Sequence, residues 1–369
     1  MTIPPDLLPE GFRDRLPPQA ELAARTARAM LDVMAGHGYA RVSPAIAEFE
    51  ATLSARSGGA TRDRLVRFVD PVSGQTLALR GDITVQVGRI ATTRMADAPR
   101  PLRLCYHGSI LRLKGAQLRP EREITQIGAE LVGNDSVAAA GEIVTVAIEA
   151  LEAAGVTGIT VDFTLPDLVE TLAVKALPTD RPGAVRDALD MKDAGGLHAI
   201  GADAYLPLLA ATGPFDDAVD KLRLIDAGGA LASRIDALEK ISAGLSGRAA
   251  VTLDPTEHHG FEYQSWFGFT LFAKGCPAAL GRGGSYAITR PDGGHEVAVG
   301  FSLYPDPLVD MSVSTDEIRR LFLPIGTLPT KAAQMRAEGW VTVAALGETD
   351  TALNQGCNYV LENGKAQPI

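Results

Sequence analysis

Cysteine is scarce in this chain: 369 residues carry three, Cys105, Cys276 and Cys357, all far apart. No CxxC pair and no metal-type spacing is present, which speaks against a disulfide framework and against a structural zinc site. Buried free thiols in a reducing compartment are the expectation. No apolar run reaches membrane length. The start, Met1-Thr2-Ile3-Pro4-Pro5-Asp6, has neither a basic segment nor an apolar one, so neither a signal peptide nor a membrane anchor is expected, and the chain reads as cytoplasmic. Positive charge is also in deficit. With 35 Lys and Arg against 45 Asp and Glu, the formal net charge is −10, which disfavours nonspecific contact with nucleic acid or anionic lipid. Internal repeats and low-complexity segments are absent.

What is present is normal for a globular protein: 46% apolar and 22% charged residues. Residues 1–18 read as an irregular, proline-rich arm. Leu22, Ala29, Met30, Val33 and Met34 recur at helical spacing and predict a helix over 19–37, ended by Gly36 and Gly38. Tyr39–Ile46 reads as a short strand with Pro44 inside it, which suits an edge or a bulge. Leu65–Asp70 and Thr76–Leu79 read as a hairpin around Pro71-Val72-Ser73-Gly74. Asp82–Met95 reads as a helix that Asp82 could cap. Ser136–Ala154 reads as another. Strand patterns cover 101–113, 124–132, 159–165, 249–253, 260–272 and 297–303. Between 166 and 247 they nearly vanish, and a helical insertion is expected there. After Pro305-Asp306-Pro307 a β-α-β pattern predicts a small tail. The whole reads as an α+β layered fold, with a core over 1–310 and a tail over 311–369.

The stretch from Arg112 to Gly133 is the most informative. It reads as a strand, a polar loop and a second strand. On the second strand Gln126, Gly128 and Glu130 alternate with Ile127, Ala129 and Leu131, so Gln126 and Glu130 share a face with only Gly128 between them. That pattern sets an amide and a carboxylate over an open patch of sheet beside a cationic loop, a suitable place for a small zwitterion. A polar sheet face turned to solvent fits the same pattern.

Three ordered stretches carry a resemblance: Leu79-Arg80-Gly81-Asp82-Ile83-Thr84, Tyr106-His107-Gly108-Ser109-Ile110-Leu111-Arg112, and Gln126-Ile127-Gly128-Ala129-Glu130-Leu131-Val132-Gly133. They resemble histidyl-tRNA synthetase, a class II synthetase, over about residues 5–309. The resemblance implies a six-stranded antiparallel sheet flanked by helices. It implies that Pro44 is the dimer-motif proline and that Arg112 and Arg122 stand on phosphate-binding positions. It also implies that Asp82, Thr84, Gln126 and Glu130 stand on amino-acid-binding positions and Tyr263 near an imidazole.

The departures are as informative. The glutamate that would hold adenine is Lys114. The motif-three arginine that would stack on adenine is Pro307, which carries no charge. The arginine of the histidine-specific segment is His259 in Glu257-His258-His259-Gly260-Phe261-Glu262-Tyr263-Gln264, and Gln264 replaces the usual neighbour of Tyr263. Gly-Gly-Arg-Tyr-Asp has become Gly283-Gly284-Ser285-Tyr286-Ala287. Adenylate formation depends on preorganised positive charge, and losing one such group costs a factor of about a hundred to a thousand. The chain is therefore identified with the paralogous family that kept the fold and lost the chemistry, the regulatory subunits of ATP phosphoribosyltransferase. That resemblance implies a subunit with no catalytic residue and no cofactor, in the first step of histidine biosynthesis. Its partners would be a short catalytic subunit, a second copy through the class II core, and L-histidine. The implied histidine-binding set is Asp82, Thr84, Arg112, Gln126, Glu130 and Tyr263.

Simpler readings stand beside these. Asp82 has a cap role. Arg112 and Arg122 can pair with Glu121 or Glu123. His258 and His259 point to opposite faces of a strand and do not chelate one metal. Gly281-Arg282-Gly283-Gly284 reads as a tight turn between strands.

Overall fold

The structure is a computed structural model that describes residues 7–56, 65–115, 120–226, 228–258, 264–312 and 319–369. The chain divides into two compact units, Met1–Ser312 and Val313–Ile369.

The first unit is built on a nine-stranded sheet. In chain order its strands are β1 (Ala40–Arg41), β2 (Leu102–Leu111), β3 (Glu123–Val132), β4 (Ile159–Thr164), β5 (Gly213–Pro214), β6 (Ala250–Leu253), β7 (Gln264–Ala273), β8 (Gly281–Thr289) and β9 (His295–Leu303). Across the sheet they run β1-β2-β3-β9-β8-β7-β4-β6-β5. The six from β2 to β4 are antiparallel throughout. Parallel partners, β1 and β6, flank this antiparallel block.

The alternation within each strand sorts the two faces. Cys105, Ile127, Ala129, Leu131, Val299, Phe301, Phe269 and Phe163 form the back face and enter one large core. Two helices complete that core: α1 (Gln19–Gly36), through Met30, Leu31 and Met34, and α3 (Val137–Ala153), through Ile143, Val144, Ala147 and Leu151. The α3 helix starts where expected: the Ser136 hydroxyl accepts from the Ala139 N–H at 3.3 Å. It is followed by Gly155 at φ +83°, a left-handed position that favours glycine. The front face is covered at one end by α2 (Thr84–Thr93). There Ile83, Val87 and Ala91 pack on Leu104, Tyr106, Ile288 and Ala298.

The expected insertion is helical. It holds Leu168–Ala173, Pro182–Asp190, Ala194–Ala199, Phe215–Ile225 and Ala232–Gly244, with a 3₁₀ helix at Asp203–Ala210. Its apolar side chains, Leu208, Leu222 and Leu238 among them, join the same core as α3.

Two sequence expectations are corrected. Pro44 is not inside a strand. Pairing in β1 ends at Arg41, and a separate three-stranded sheet begins at Ala47. Proline has no N–H to give a ladder, and the Pro44 carbonyl instead accepts from Arg80 Nη1 at 2.9 Å. Gly281-Arg282-Gly283-Gly284 is not a turn. It is the first half of β8, paired on both sides. Glycine is needed there because neighbours come close: a Cβ at Gly283 would meet the Phe269 ring, and one at Gly284 would meet the Phe267 carbonyl.

The second unit pairs Arg320–Leu323 with Val341–Ala344 and Tyr359–Glu362 in parallel. It adds a strand that the sequence reading did not include, Lys365–Pro368, through a hairpin. Asn363 and Gly364 both have positive φ, +47° and +76°, as a two-residue hairpin turn requires. Helix Pro329–Ala337 buries Met335 against Leu321, Leu323 and Leu361. Among the described residues no helix is long and apolar enough to cross a membrane.

Candidate functional site

Strand register assembles the site on the front face, beyond the part that α2 covers. Glu130 on β3 lies opposite Gly300 on β9, which lies opposite Gly284 on β8, then Gly268 on β7, then Thr164 on β4. Three adjacent glycines thus make a bare floor across three strands, with Glu130 at one end. The next row runs Gly128, Ser302, Arg282, Thr270 and Asp162. On the other side of the floor stand Tyr286 and Gln264, which are also register partners.

Gln126 and Glu130 do share a face, but that face is not open, which corrects the sequence expectation. Gln126 is 0% exposed and Glu130 1%. Tyr106 sits directly opposite Gly128, and its hydroxyl fills the space that a side chain at 128 would take. Tyr106 donates to Glu130 Oε1 at 3.1 Å, and Tyr286 donates to Glu130 Oε2 at 2.7 Å. The Tyr106 hydroxyl also lies 3.0 Å from Ser302 Oγ and 3.1 Å from Thr84 Oγ1. The Gln126 amide donates to Ser302 Oγ at 2.7 Å and to Asp82 Oδ1 at 2.8 Å, and its carbonyl accepts from the Ile83 N–H at 2.9 Å. Thr84 N–H donates to the same Asp82 oxygen at 2.9 Å, so Asp82 steadies the start of α2 while it joins the network.

The electrostatics follow from burial. Desolvation is the main cause that pushes the Glu130 carboxyl up to about 8, opposed by the Tyr286 hydrogen bond and reinforced by the Asp82 charge. Tyr106 is held well above its ordinary range, mainly by burial and then by Glu130 and Asp82. The site therefore holds a protonated carboxyl, Glu130, near neutral pH, with the half-buried Asp82 at the other side of Gln126.

Four of the six sequence-derived candidates, Asp82, Thr84, Gln126 and Glu130, come together in one network. Arg112 is half-buried at the end of the β2–β3 hairpin, and among the described residues no hydrogen bond joins it to that network. Its charge does act on Tyr304. Tyr263 and His259 lie outside the described residues, as does the hairpin tip, 116–119. The sequence reading missed Tyr106, Tyr286 and Ser302 as members. The period-two pattern of β8 and β9 carried the signal, since Tyr286 and Ser302 fall on the glycine side of their strands. Ser285, where an arginine was expected, faces the other way: its hydroxyl accepts from the Trp266 and Phe267 N–H groups at 3.1 Å each.

The nucleotide side of the fold is differently furnished. Lys114 is exposed, and Pro307 lies in the first turn of a short helix, Asp306–Met311. Asp306 accepts from the Thr125 N–H at 2.8 Å and from Arg15 at 3.1 Å, while Arg13 meets Asp310 at 2.5 Å. The N-terminal arm is thereby strapped along the hairpin. Arg122 does not pair with Glu121 or Glu123 there; it stacks over Phe12 with 4.8 Å to the ring centre, and its Nε donates to the Arg112 carbonyl. A cavity of about 140 Å³ beside the arm is lined by Glu121, Glu123 and Asp306 as well as Arg13 and Arg15. Three carboxylates make it a poor seat for a triphosphate.

Comparison with known proteins gives the family. The family model described as histidyl-tRNA synthetase matches residues 11–308. The ATP phosphoribosyltransferase regulatory subunit of Rhodospirillum centenum is 41% identical over 374 residues, covering 98% of this chain and 96% of that protein. That of Paramagnetospirillum magneticum is 41% identical over 367 residues, covering 96% of each. The chain belongs to the family of ATP phosphoribosyltransferase regulatory subunits. Its fold is shared with solved relatives of this family and of the synthetases. A Bacillus halodurans protein described as an ATP phosphoribosyltransferase regulatory subunit/histidyl-tRNA synthetase superposes with a TM-score of 0.80 at 22% identity, over 96% of this chain and 97% of that one. Histidyl-tRNA synthetase from Nostoc sp. gives 0.79 at 15% identity, over 96% and 90%.

Proposed function

We propose that this chain is the non-catalytic partner of a short ATP phosphoribosyltransferase catalytic subunit, that it works in the cytoplasm, and that it senses L-histidine on the glycine floor beside Glu130. The observation that carries this reading is the contrast between two halves of one face. The amino-acid half keeps a closed network of Asp82, Thr84, Gln126, Glu130, Tyr106 and Tyr286 around bare glycines. The nucleotide half has Lys114, Pro307 and a carboxylate-lined cavity. Asp82 would accept from the ligand ammonium, a charge-assisted bond worth roughly 1.5–3 kcal/mol, and Glu130 would hydrogen-bond the ligand side chain. Arg112 and Tyr263 complete the proposed ligand-binding set. A second copy would pair through the class II core.

The test is reconstitution. The chain is added to a short catalytic subunit, and phosphoribosyl-ATP formation is followed with and without L-histidine. Stimulation that histidine reverses is expected; absence of both a complex and stimulation rejects the reading. The synthetase-family match raises a second reading, a divergent histidyl-tRNA synthetase. Histidine-dependent exchange of pyrophosphate into ATP would favour it, and none is expected.

A further inference from the structure

The floor has a second end, and no residue assigned above occupies it. Arg282 and Thr270 are register partners in the row beside the glycines. Arg282 lies two strands from Glu130, roughly 10 Å at ordinary strand spacing. Its charge acts on Tyr304 at one side and on Glu257 at the other. Thr270 is 2% exposed, and its hydroxyl has no hydrogen-bond partner among the described residues. The carbonyl oxygen of Gln264, over Gly284, is likewise buried without one. A buried polar atom left unpaired calls for an explanation, and a ligand atom is one that two such atoms on the same face share.

We propose that Arg282, assisted by the Thr270 hydroxyl, anchors the carboxylate of the amino acid that lies on the glycine floor. This inference rests on the ligand reading above. The guanidinium offers planar, paired donors suited to a carboxylate. The position is also the right one chemically. Glu130 and Asp82 supply acceptors for a ligand's cationic parts, and a zwitterion needs one fixed cation at the opposite end. Asp162 faces Thr270 across the sheet and accepts from the Thr252 hydroxyl, and the Arg282 charge acts on Glu257. Burial, with Asp162 nearby, pushes the Glu257 carboxyl up to about 7. Near neutral pH it can therefore take up a proton, which removes a negative charge that acts on Arg282. Glu257 belongs to a segment tied to the insertion: Lys192 grips Asp254 at 2.7 Å, and the His258 N–H donates to Asp190 at 2.6 Å. A change of partner at Arg282 would be felt there first.

The experiment is calorimetric titration of the full chain with L-histidine and with L-histidinol, which has an alcohol in place of the carboxylate. The wild-type chain is expected to prefer histidine by about tenfold or more. Arg282→Gln is expected to weaken histidine by that factor and to change histidinol less than about twofold, and Arg282→Lys to restore part of the preference. Thermal melts of both variants check folding. Equal loss of both ligands in Arg282→Gln, or a preference that survives it, overturns the assignment of Arg282 while leaving the pocket intact. A wild-type chain that binds neither ligand overturns the pocket reading itself, and the anchor with it.

Discussion

At the scale of single residues, Glu130 concentrates the physics of the site. Its carboxyl is raised from an ordinary 4.5 to about 8 in the folded chain, so the folded state holds the proton more tightly than the unfolded one. The stability this contributes is fully present below about pH 4.5 and is lost as pH rises through about 8. Chemical denaturation across that window is expected to show wild-type stability falling, and Glu130→Gln falling less, because its amide does not titrate. Parallel curves would mean that Glu130 does not titrate there. Glu130→Ala is expected to weaken histidine binding by about tenfold or more, read by calorimetry. The glycines are as constrained as the polar groups. A Cβ at Gly300 would collide with Glu130 Oε2. Gly300→Ala is therefore expected to lose roughly 1–3 kcal/mol in a denaturant titration, with a shifted carboxylate as the structural cause.

At the scale of elements, the hairpin of β2 and β3 serves two neighbours. Its inner rows hold the network, while its mouth is strapped by the N-terminal arm through Arg15 and Asp306, with side chains 22% and 15% exposed. Partial exposure limits what such a pair contributes. Arg15→Ala is expected to cost about 1 kcal/mol or less, and less still at high salt, in melts run at two ionic strengths. An effect independent of salt would mean that Arg15 acts by packing instead. β8 carries the lesson about reading glycine. Gly281, Gly283 and Gly284 look like a turn in one dimension, yet each is a place where Leu303, Phe269 or Gln264 comes too close for a Cβ.

At the scale of the whole molecule, the two units have separate cores: the tail packs Met335 on Leu321, Leu323 and Leu361, and the large unit packs α1 and α3 behind its sheet. A chain ending at Ser312 is expected to unfold in one cooperative transition with the large unit's helix and strand content, followed by circular dichroism. Loss of cooperativity would show that the large unit depends on the tail. The family assignment makes regulation, not turnover, the property to measure.

Much of this was legible in one dimension. Helical periodicity gave α1 and α3 to within a residue or two. Period-two alternation put Gln126 and Glu130 on one face, and Lys114 and Pro307 marked the lost nucleotide chemistry. The helices and the shared face depend on residues close in sequence, whose geometry the backbone repeat sets by itself; Lys114 and Pro307 stood out only through the family resemblance. Only the tertiary structure decided that the face is closed. Tyr286 and Ser302 reach Glu130 and Gln126 across 156 and 176 residues, through register that no local pattern specifies. The same folding turned a presumed glycine turn into the floor of a site and set Arg282 beside it. Whether a polar side chain meets water or a partner is a property of its neighbours in space, and a strand brings those neighbours from elsewhere in the chain.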